Sequence, residues 1–409
     1  MRKVGVWLIG AAGSLASTVV TGARAIAHGL AGPTGLVTEL PEVRALPLAG
    51  LHRLVFAGWE VNSAGILHQA RALASDHRAL NAGLVAAVED DLLAVERRVQ
   101  PGFAAGGGPA RPSRGGGGRG PRREPLEHAA ARLGDDLQRF REDEHLDTVI
   151  VVNVASTEPP ISLGPEHARL GSFRRVLQQD RRAMVTPSML YAYAALDRGC
   201  PYINFTPSLG VTPPALQELG ETRRVSFFGS DGKTGETLMK TVLAPLFRYR
   251  NLEVLSWEGV NLLGGGDGQV LANPRHKASK LRSKGGVLAP SLGYAPHASV
   301  AIEYVPSLGN WKTAWDFIHF RGFLDTRMSV QFIWQGCDSI LAAPLVLDLV
   351  RLAEFAERAG EVGPMTHLAC FFKDPLGVRI SAFQDQVQLL MDYVERHAAD
   401  GLKRARRGG

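Results

Sequence analysis

The chain has 409 residues, more than one hydrophobic core normally fills, so two domains are expected. Its 45% hydrophobic and 21% charged content is that of a globular protein, and no apolar run reaches the roughly 20 residues that cross a bilayer, so no membrane partner is expected. The formal charge of +6 is concentrated in two segments, GFAAGGGPARPSRGGGGRGPRR at 102–123 and LKRARRGG at 402–409, both read as disordered; the remainder is near neutral or mildly acidic, and no nucleic-acid partner is expected.

Val4 to Ile9 (VGVWLI) is a short run of β-forming residues. The start MRKVGVWLIGAAG has the basic and apolar stretches of a leader, but turn glycines and an amphipathic segment follow instead of a cleavage site. It is therefore read as a buried first strand, and the protein as cytoplasmic. Gly10, Ala11, Ala12, Gly13, Ser14, Leu15 and Ala16 then lead into a helix through Ala27. A strand that ends in glycines and feeds a helix start offers backbone N–H groups and a positive dipole end to a pyrophosphate. The spacing G-x-x-G-x-x-A lacks the middle glycine of the dinucleotide fingerprint, so a plain strand–helix turn fits as well.

A second strand, Leu54 to Ala57, is followed by Glu60, which is either an acceptor for ribose hydroxyls or a solvated loop carboxylate. Helical segments are expected at Ala79 to Arg98 and Pro125 to Glu142. Thr148 to Val154 (TVIVVNV) is the clearest central strand, apolar as parallel strands buried on both faces are. Ser156, Thr157 and Glu158 at its carboxyl end are candidate cofactor contacts, with turn capping as the alternative. A helix at Pro187 to Arg198 and strands at Tyr202 to Phe205 and Arg224 to Phe228 come next. The segment GSDGKTGET, before a helix at Leu238 to Phe247, departs from phosphate-loop spacing because the Lys-Thr pair precedes its last glycine. It retains an anion-friendly helix start with Lys233 and a carboxylate beside it.

From Asn251 to Gly322 the chain reads as consecutive strands, after which LAAPLVLDLVRLAEFAERAG returns to helix and HLACFFK to strand. Cys200, Cys337 and Cys370 are too few and too widely spaced for a disulfide framework or a Cys-based zinc site. His276, His297 and His319 are isolated, and none is assigned to a metal. Four lysines stand in unusual company: Lys280 and Lys284 in SKLRSK, Lys312 in GNWKTAWDF and Lys373 in CFFKDPLG. That placement suggests a site for an anionic substrate.

These segments, with NVASTEP, GSDGKTGETLMKT and QGCDSILAAPLVLDL, occur in order, and together the chain resembles the inositol-3-phosphate synthase (myo-inositol-1-phosphate synthase) family, closest to its shorter archaeal and bacterial branch. The resemblance implies conversion of D-glucose 6-phosphate to 1D-myo-inositol 3-phosphate with a tightly held NAD. C5 is oxidised, C6 is deprotonated, the enolate attacks the C1 aldehyde and the C5 ketone is reduced again. Each stage develops negative charge on oxygen, which fixed cations stabilise. Lys280, Lys284, Lys312 and Lys373 match the family's lysines, while Asp231, Asp267 and Asp338 match acids near its nicotinamide and metal site. Asp267 is the candidate ligand for a divalent metal, with ammonium as the other cation considered; Asp338 has the alternative of a helix N-cap. Lys373 and Lys312 are placed at the reacting oxygens, with Lys284 and Lys280 on phosphate and aldehyde oxygen. Where the family reads Leu-Gly-Asn-x-Asp-Gly, Gly265 replaces the asparagine.

The fold so implied is α/β: a doubly wound, Rossmann-type NAD-binding domain (1–231), an inserted α+β catalytic and oligomerisation domain (232–336), and a return to the first domain (337–409), assembled as a homotetramer. The alternatives are an NAD-dependent sugar-phosphate dehydrogenase on a related scaffold and a non-catalytic protein that binds NAD and nucleic acid.

Overall fold

In this computed structural model the described residues are 2–62, 64–75, 78–104, 124–264 and 288–407, with side chains through 399. The first half alternates strand and helix: β1 (Val4–Ile9), α1 (Ser14–Ala27), β2 (Leu54–Glu60), α2 (Ile66–Ser75), α3 (Ala82–Ala87), α4 (Glu89–Arg97), β3 (Val99–Pro101), α5 (Leu126–Asp143), β4 (Thr148–Asn153), α6 (Leu170–Gln178), α7 (Pro187–Asp197), β5 (Tyr202–Asn204), α8 (Pro214–Thr222) and β6 (Ser226–Gly229). A long helix, α9 (Gly235–Tyr249), leads to β7 (Glu253–Leu263), the short α10 (Leu288–Leu292), β8 (His297–Tyr304), β9 (Trp311–Arg321) and β10 (Arg327–Cys337). The chain closes with α11 (Asp338–Arg358), β11 (Gly363–Pro364) and α12 (Phe383–Arg407).

The first sheet is parallel, in the order β11-β6-β5-β4-β1-β2-β3, the doubly wound arrangement expected from the sequence. Successive side chains on a strand point to opposite faces. Val4, Val6 and Leu8 of β1 therefore enter one core, with α1, α2 and α11, while Trp7 and Ile9 enter the other, with α5, α7 and α8. Burying each such Val or Leu contributes about 1.5–3 kcal/mol. Gly58 lets β2 lie flush on β1: a Cβ there would stand 2.1 Å from the Leu8 carbonyl oxygen and 2.7 Å from the Ala11 Cβ.

The second sheet runs β10-β9-β7-β8, with β9 antiparallel to both β10 and β7, and β8 parallel to β7. Helices α9 and α10 cover one face, where Ala244, Phe247, Leu288 and Leu292 pack on Val254, Trp257, Ile318 and Phe320. On the other face Val260, Trp315 and Ile333 lie side by side in register across β7, β9 and β10, and Trp315 and Ile333 are exposed.

Several expectations need correction. The helix expected over Ala79 to Arg98 is broken at Val88 into α3 and α4, and β3 follows. β2 extends through Glu60, because parallel pairing to β1 and β3 continues there. The segment HLACFFK is not a strand: Thr366–Phe371 is a 3₁₀ turn, and only Phe372 makes a bridge, to Gly232. A short apolar run reads alike as buried strand or buried turn, and this one packs under α12. The basic tail, expected to be disordered, is helical through Arg407, as Leu, Lys, Arg and Ala favour. The linker segment 105–123 lies outside the described residues.

α12 docks on that 3₁₀ turn through His367, whose ring stacks on Tyr393 at 3.6 Å and 4°. Burial, with Arg396 and His397 adding to it, pulls the His367 imidazole down to about 3. The folded value lies below the unfolded one, so between the two the unfolded chain binds more protons. The stability is present above about pH 6.5 and is lost as pH falls toward 3. About 2 kcal/mol should be lost between pH 7 and pH 5 through this residue. Thermal melts of His367→Phe should show a smaller drop over that interval than the parent; identical drops would refute the assignment.

Candidate active site

Between the carboxyl ends of the first sheet and the start of β9 lies a cleft of about 850 Å³. One wall is the turn after β1. Gly10 has φ +84°, and a Cβ there would stand 2.9 Å from the Ala155 Cα, so only glycine lets the β1 and β4 turns close together. Gly10 and Ala11 donate to the Trp59 carbonyl oxygen (2.9 and 3.1 Å), and Ala12 donates to Glu60 Oε2 (2.9 Å). The first turn of α1 has N–H groups with no intrahelical partner; Gly13, Ser14 and Leu15 line the cleft there. Ala11 and Ala16 do not line it; both are fully buried beneath the turn.

Glu60 is no solvated carboxylate. It is 4% exposed, and its Oε1 accepts from the backbone of Val61 (2.7 Å) and Asn62 (2.9 Å). It lies farther along the chain from the glycines than usual because short 3₁₀ turns between Val37 and Arg53 precede β2. Ser156, Thr157 and Glu158 also line the cleft. Glu158 already holds the start of α7, accepting from Ser188 N (2.7 Å) and Ser188 Oγ (2.6 Å), and burial pushes its carboxyl up.

The opposite wall carries two ammonium–carboxylate pairs drawn from distant parts of the chain. Lys373 Nζ donates to Asp231 Oδ1 at 2.8 Å, and both side chains are largely buried. Lys312 Nζ lies 3.3 Å from Asp338 Oδ2. Asp338 is in the first turn of α11, after Cys337 at the N-cap, so it is not the cap itself. The first pair is held by backbone bonds between its two loops: Lys373 N donates to the Asp231 carbonyl oxygen (2.7 Å), Lys233 N to that of Phe371 (2.8 Å) and Ser230 N to that of Asp374 (2.6 Å). Asp231 itself has φ +61°.

Lys233 is not brought to the cleft. Its ammonium donates to Gln386 and lies over the Phe383 ring, both on α12, and burial pulls it down to about 8. Lys280, Lys284, Asp267 and Gly265 lie outside the described residues. Among the described residues no cluster of three or more His, Cys, Asp or Glu suits a metal ion.

Two buried polar atoms lining the cleft, Asp231 Oδ2 and Asn310 Nδ2, have no hydrogen-bond partner among the described residues. Groups so placed await a polar ligand. With the α1 turn and Glu60 across from them, the donor set fits a dinucleotide: N–H groups for its pyrophosphate and a carboxylate for ribose hydroxyls. Asn310 and Glu236, another cleft residue, were missed by sequence reasoning. Asn310 directly precedes the quoted Trp311-Lys312, and Glu236 lies within the quoted GSDGKTGET without being singled out.

The family model for myo-inositol-1-phosphate synthase, an NAD-binding family, matches residues 4–394. The chain belongs to the myo-inositol-1-phosphate synthase family. It is 33% identical over 400 residues to inositol-3-phosphate synthase 1 of Bacteroides thetaiotaomicron, covering 91% of this chain and 90% of that one. In fold it resembles the crystal structure of inositol-3-phosphate synthase from Caenorhabditis elegans, with a TM-score of 0.84 at 24% identity over 97% of this chain and 86% of the other. A myo-inositol-1-phosphate synthase-related protein from Thermotoga maritima matches with a TM-score of 0.76 at 22% identity, over 96% and 99% of the two chains. The glycine turn follows β1 of the first sheet and Lys312 is on β9 of the second, so this cleft forms only when both sheets are in place. No helix among the described residues is long and apolar enough to cross a membrane.

Proposed function

We propose that this protein converts D-glucose 6-phosphate to 1D-myo-inositol 3-phosphate. The observation that carries the reading is the facing of two ammonium–carboxylate pairs, Lys373–Asp231 and Lys312–Asp338, across one cleft from the glycine turn of β1. NAD held at that turn would supply the hydride acceptor for the oxidation and the hydride for the later reduction.

Lys373 and Lys312 take the oxygens on which charge develops. The Lys373 ammonium, held by the buried Asp231 carboxylate, has its direction set before substrate arrives, so stabilising an oxyanion there requires little reorganisation. Asp231 has a second function in this reading: Oδ2, the oxygen not bonded to Lys373, is left to accept from substrate or cofactor. Lys280 and Lys284 are assigned to the phosphate and the aldehyde oxygen. Lys233 holds α12 on the loop that carries Asp231. The division into a cofactor domain (1–231 with 337–409) and an inserted domain (232–336) places the lysine of β9 on the insert and Lys373 on the returning segment.

A homotetramer accompanies this reading. β10 is an edge strand, and the exposed Trp315 and Ile333 give the outer face of the second sheet an apolar row that self-association would cover. Cytoplasmic location is part of the same proposal.

The test is to incubate purified protein with glucose 6-phosphate and NAD and to follow the phosphorus NMR spectrum. Inositol phosphate should appear without net NADH. No product across several divalent metals and ammonium would overturn the reading, and stoichiometric NADH would point instead to a sugar-phosphate dehydrogenase.

A further inference from the structure

Beneath the lysine wall lies a charge network that the reaction as described does not use. Lys240 and Glu236, one turn apart on α9, are each 1% exposed and paired at 2.6 Å. Glu236 also accepts from Asn261 Nδ2 on β7 (2.6 Å). Lys240 lies 3.8 Å from Asp316 Oδ1 on β9, which is fully buried and accepts from Trp257 Nε1 (2.7 Å). Gly259 makes room for both carboxylates: a Cβ there would stand 2.7 Å from Glu236 Oε1 and 3.4 Å from Asp316 Oδ1.

The position of this network along the sheet points to its role. On β9 the residues Lys312, Ala314, Asp316, Ile318 and Phe320 alternate onto the one face that α9 covers. At the far end that face is apolar, with Ala244 and Phe247 on Trp257, Ile318 and Phe320. Charge replaces apolar packing only toward the cleft. A buried ion network adds little net stability over an apolar filling of the same volume, so stability alone does not account for it. Its two ends meet the site directly. Glu236 lines the cleft, and a Cβ added at the preceding residue, Gly235 (φ +56°), would lie 3.6 Å from Lys312 Nζ and 4.0 Å from Asp338 Oδ1.

We propose that Glu236, held by Lys240 and Asn261 and set against Asp316, is a positioning residue that fixes the start of α9 against β9 and so sets the place of the Lys312 ammonium in the cleft. The inference rests on the reaction proposed above for its kinetic readout, though not for its chemical one. Asn261 ties the helix to the sheet one strand over from Lys312, and Lys240 ties it to the same strand four residues along. Replacing the Glu236 carboxylate by an amide leaves Lys240 the Asp316 carboxylate and keeps an oxygen that can accept from Asn261, but removes the charge by which Lys240 holds the helix start.

The experiment compares Glu236→Gln, Lys240→Met and the double variant with the parent. In Glu236→Gln, kcat should fall about 10–100-fold, as small misplacements of a reacting group do, while KM for glucose 6-phosphate stays within about threefold. Lys240→Met strands two buried carboxylates and should lower the melting temperature; adding Glu236→Gln removes one of them and should restore part of it, without restoring kcat. Recovery of kcat along with melting temperature would show a merely structural network and overturn the proposal. Independently of turnover, the rate at which an amine-reactive reagent modifies Lys312, followed by peptide mass spectrometry, should change several-fold in Glu236→Gln. An unchanged rate would overturn the proposal even if the protein proved to catalyse a different reaction. If Lys240→Met does not fold, Glu236→Gln alone decides, since parent-like kcat there refutes the positioning role.

Discussion

Lys373→Ala is expected to abolish formation of inositol phosphate while leaving NAD bound. The ammonium lies 2.8 Å from Asp231 Oδ1 and is largely buried, so its charge acts with little solvent screening. Removing one preorganised donor from a developing oxyanion typically costs a factor of about 10²–10³ in kcat, or about 2.7–4 kcal/mol. Here the loss should be larger, because Asp231 is left as a buried carboxylate without its cation and repels the same developing charge. The glycine turn proposed to hold NAD is formed by β1 and α1, not by the loops that carry Lys373 and Asp231. Cofactor affinity measured by calorimetry should therefore stay within about threefold of the parent, a change too small to register as 1 kcal/mol. Near-parental turnover would remove Lys373 from the site. Lost NAD binding would instead assign it to holding the Asp231 loop, through the backbone bond from Lys373 N to the Asp231 carbonyl oxygen.

Gly10→Val should have the largest effect on the cofactor side. At φ +84° a β-branched residue is a conformational outlier, and its Cβ would press on the backbone of Ala155 at 2.9 Å. Either the turn opens or the β4 loop is pushed outward, and both displace the first-turn N–H groups of α1. NAD affinity should fall at least ~100-fold, equivalent to about 2.7 kcal/mol, and turnover should fall with it at subsaturating NAD. Because Gly10 and Ala11 also donate to the Trp59 carbonyl oxygen, a lowered melting temperature is expected as well. Parent-like NAD affinity would show that the turn does not carry the pyrophosphate.

The parts of this protein that were legible in its sequence are those set by local rules. VGVWLI and TVIVVNV read as buried strands because continuous β-branched and aromatic residues bounded by turn residues have few other solutions. The glycine turn was readable as a helix entry, even without the usual middle glycine. Where the same rules were ambiguous the reading failed: HLACFFK has the composition of a strand, yet folds as a turn because α12 covers it. Lys233 misled in the same way. Its neighbours Asp231 and Thr234 line the cleft, but the lysine points to Gln386, 153 residues later in the chain.

The sequence by itself determined the first and the central strand of the parallel sheet, the helix entry after β1 and the residue types of the site, since periodicity and turn chemistry act over a few residues. The family resemblance supplied the meaning of the lysines. Only the tertiary structure decided which lysine meets which acid. Lys373 pairs with Asp231 across 142 residues, and Lys312 with Asp338 across 26. Such pairings depend on how two sheets and α9 pack, and no local pattern encodes that packing. The same holds for the Lys240 network. Its i,i+4 half is visible on a helix, but its burial and its link to Asp316 exist only once β9 lies beneath α9.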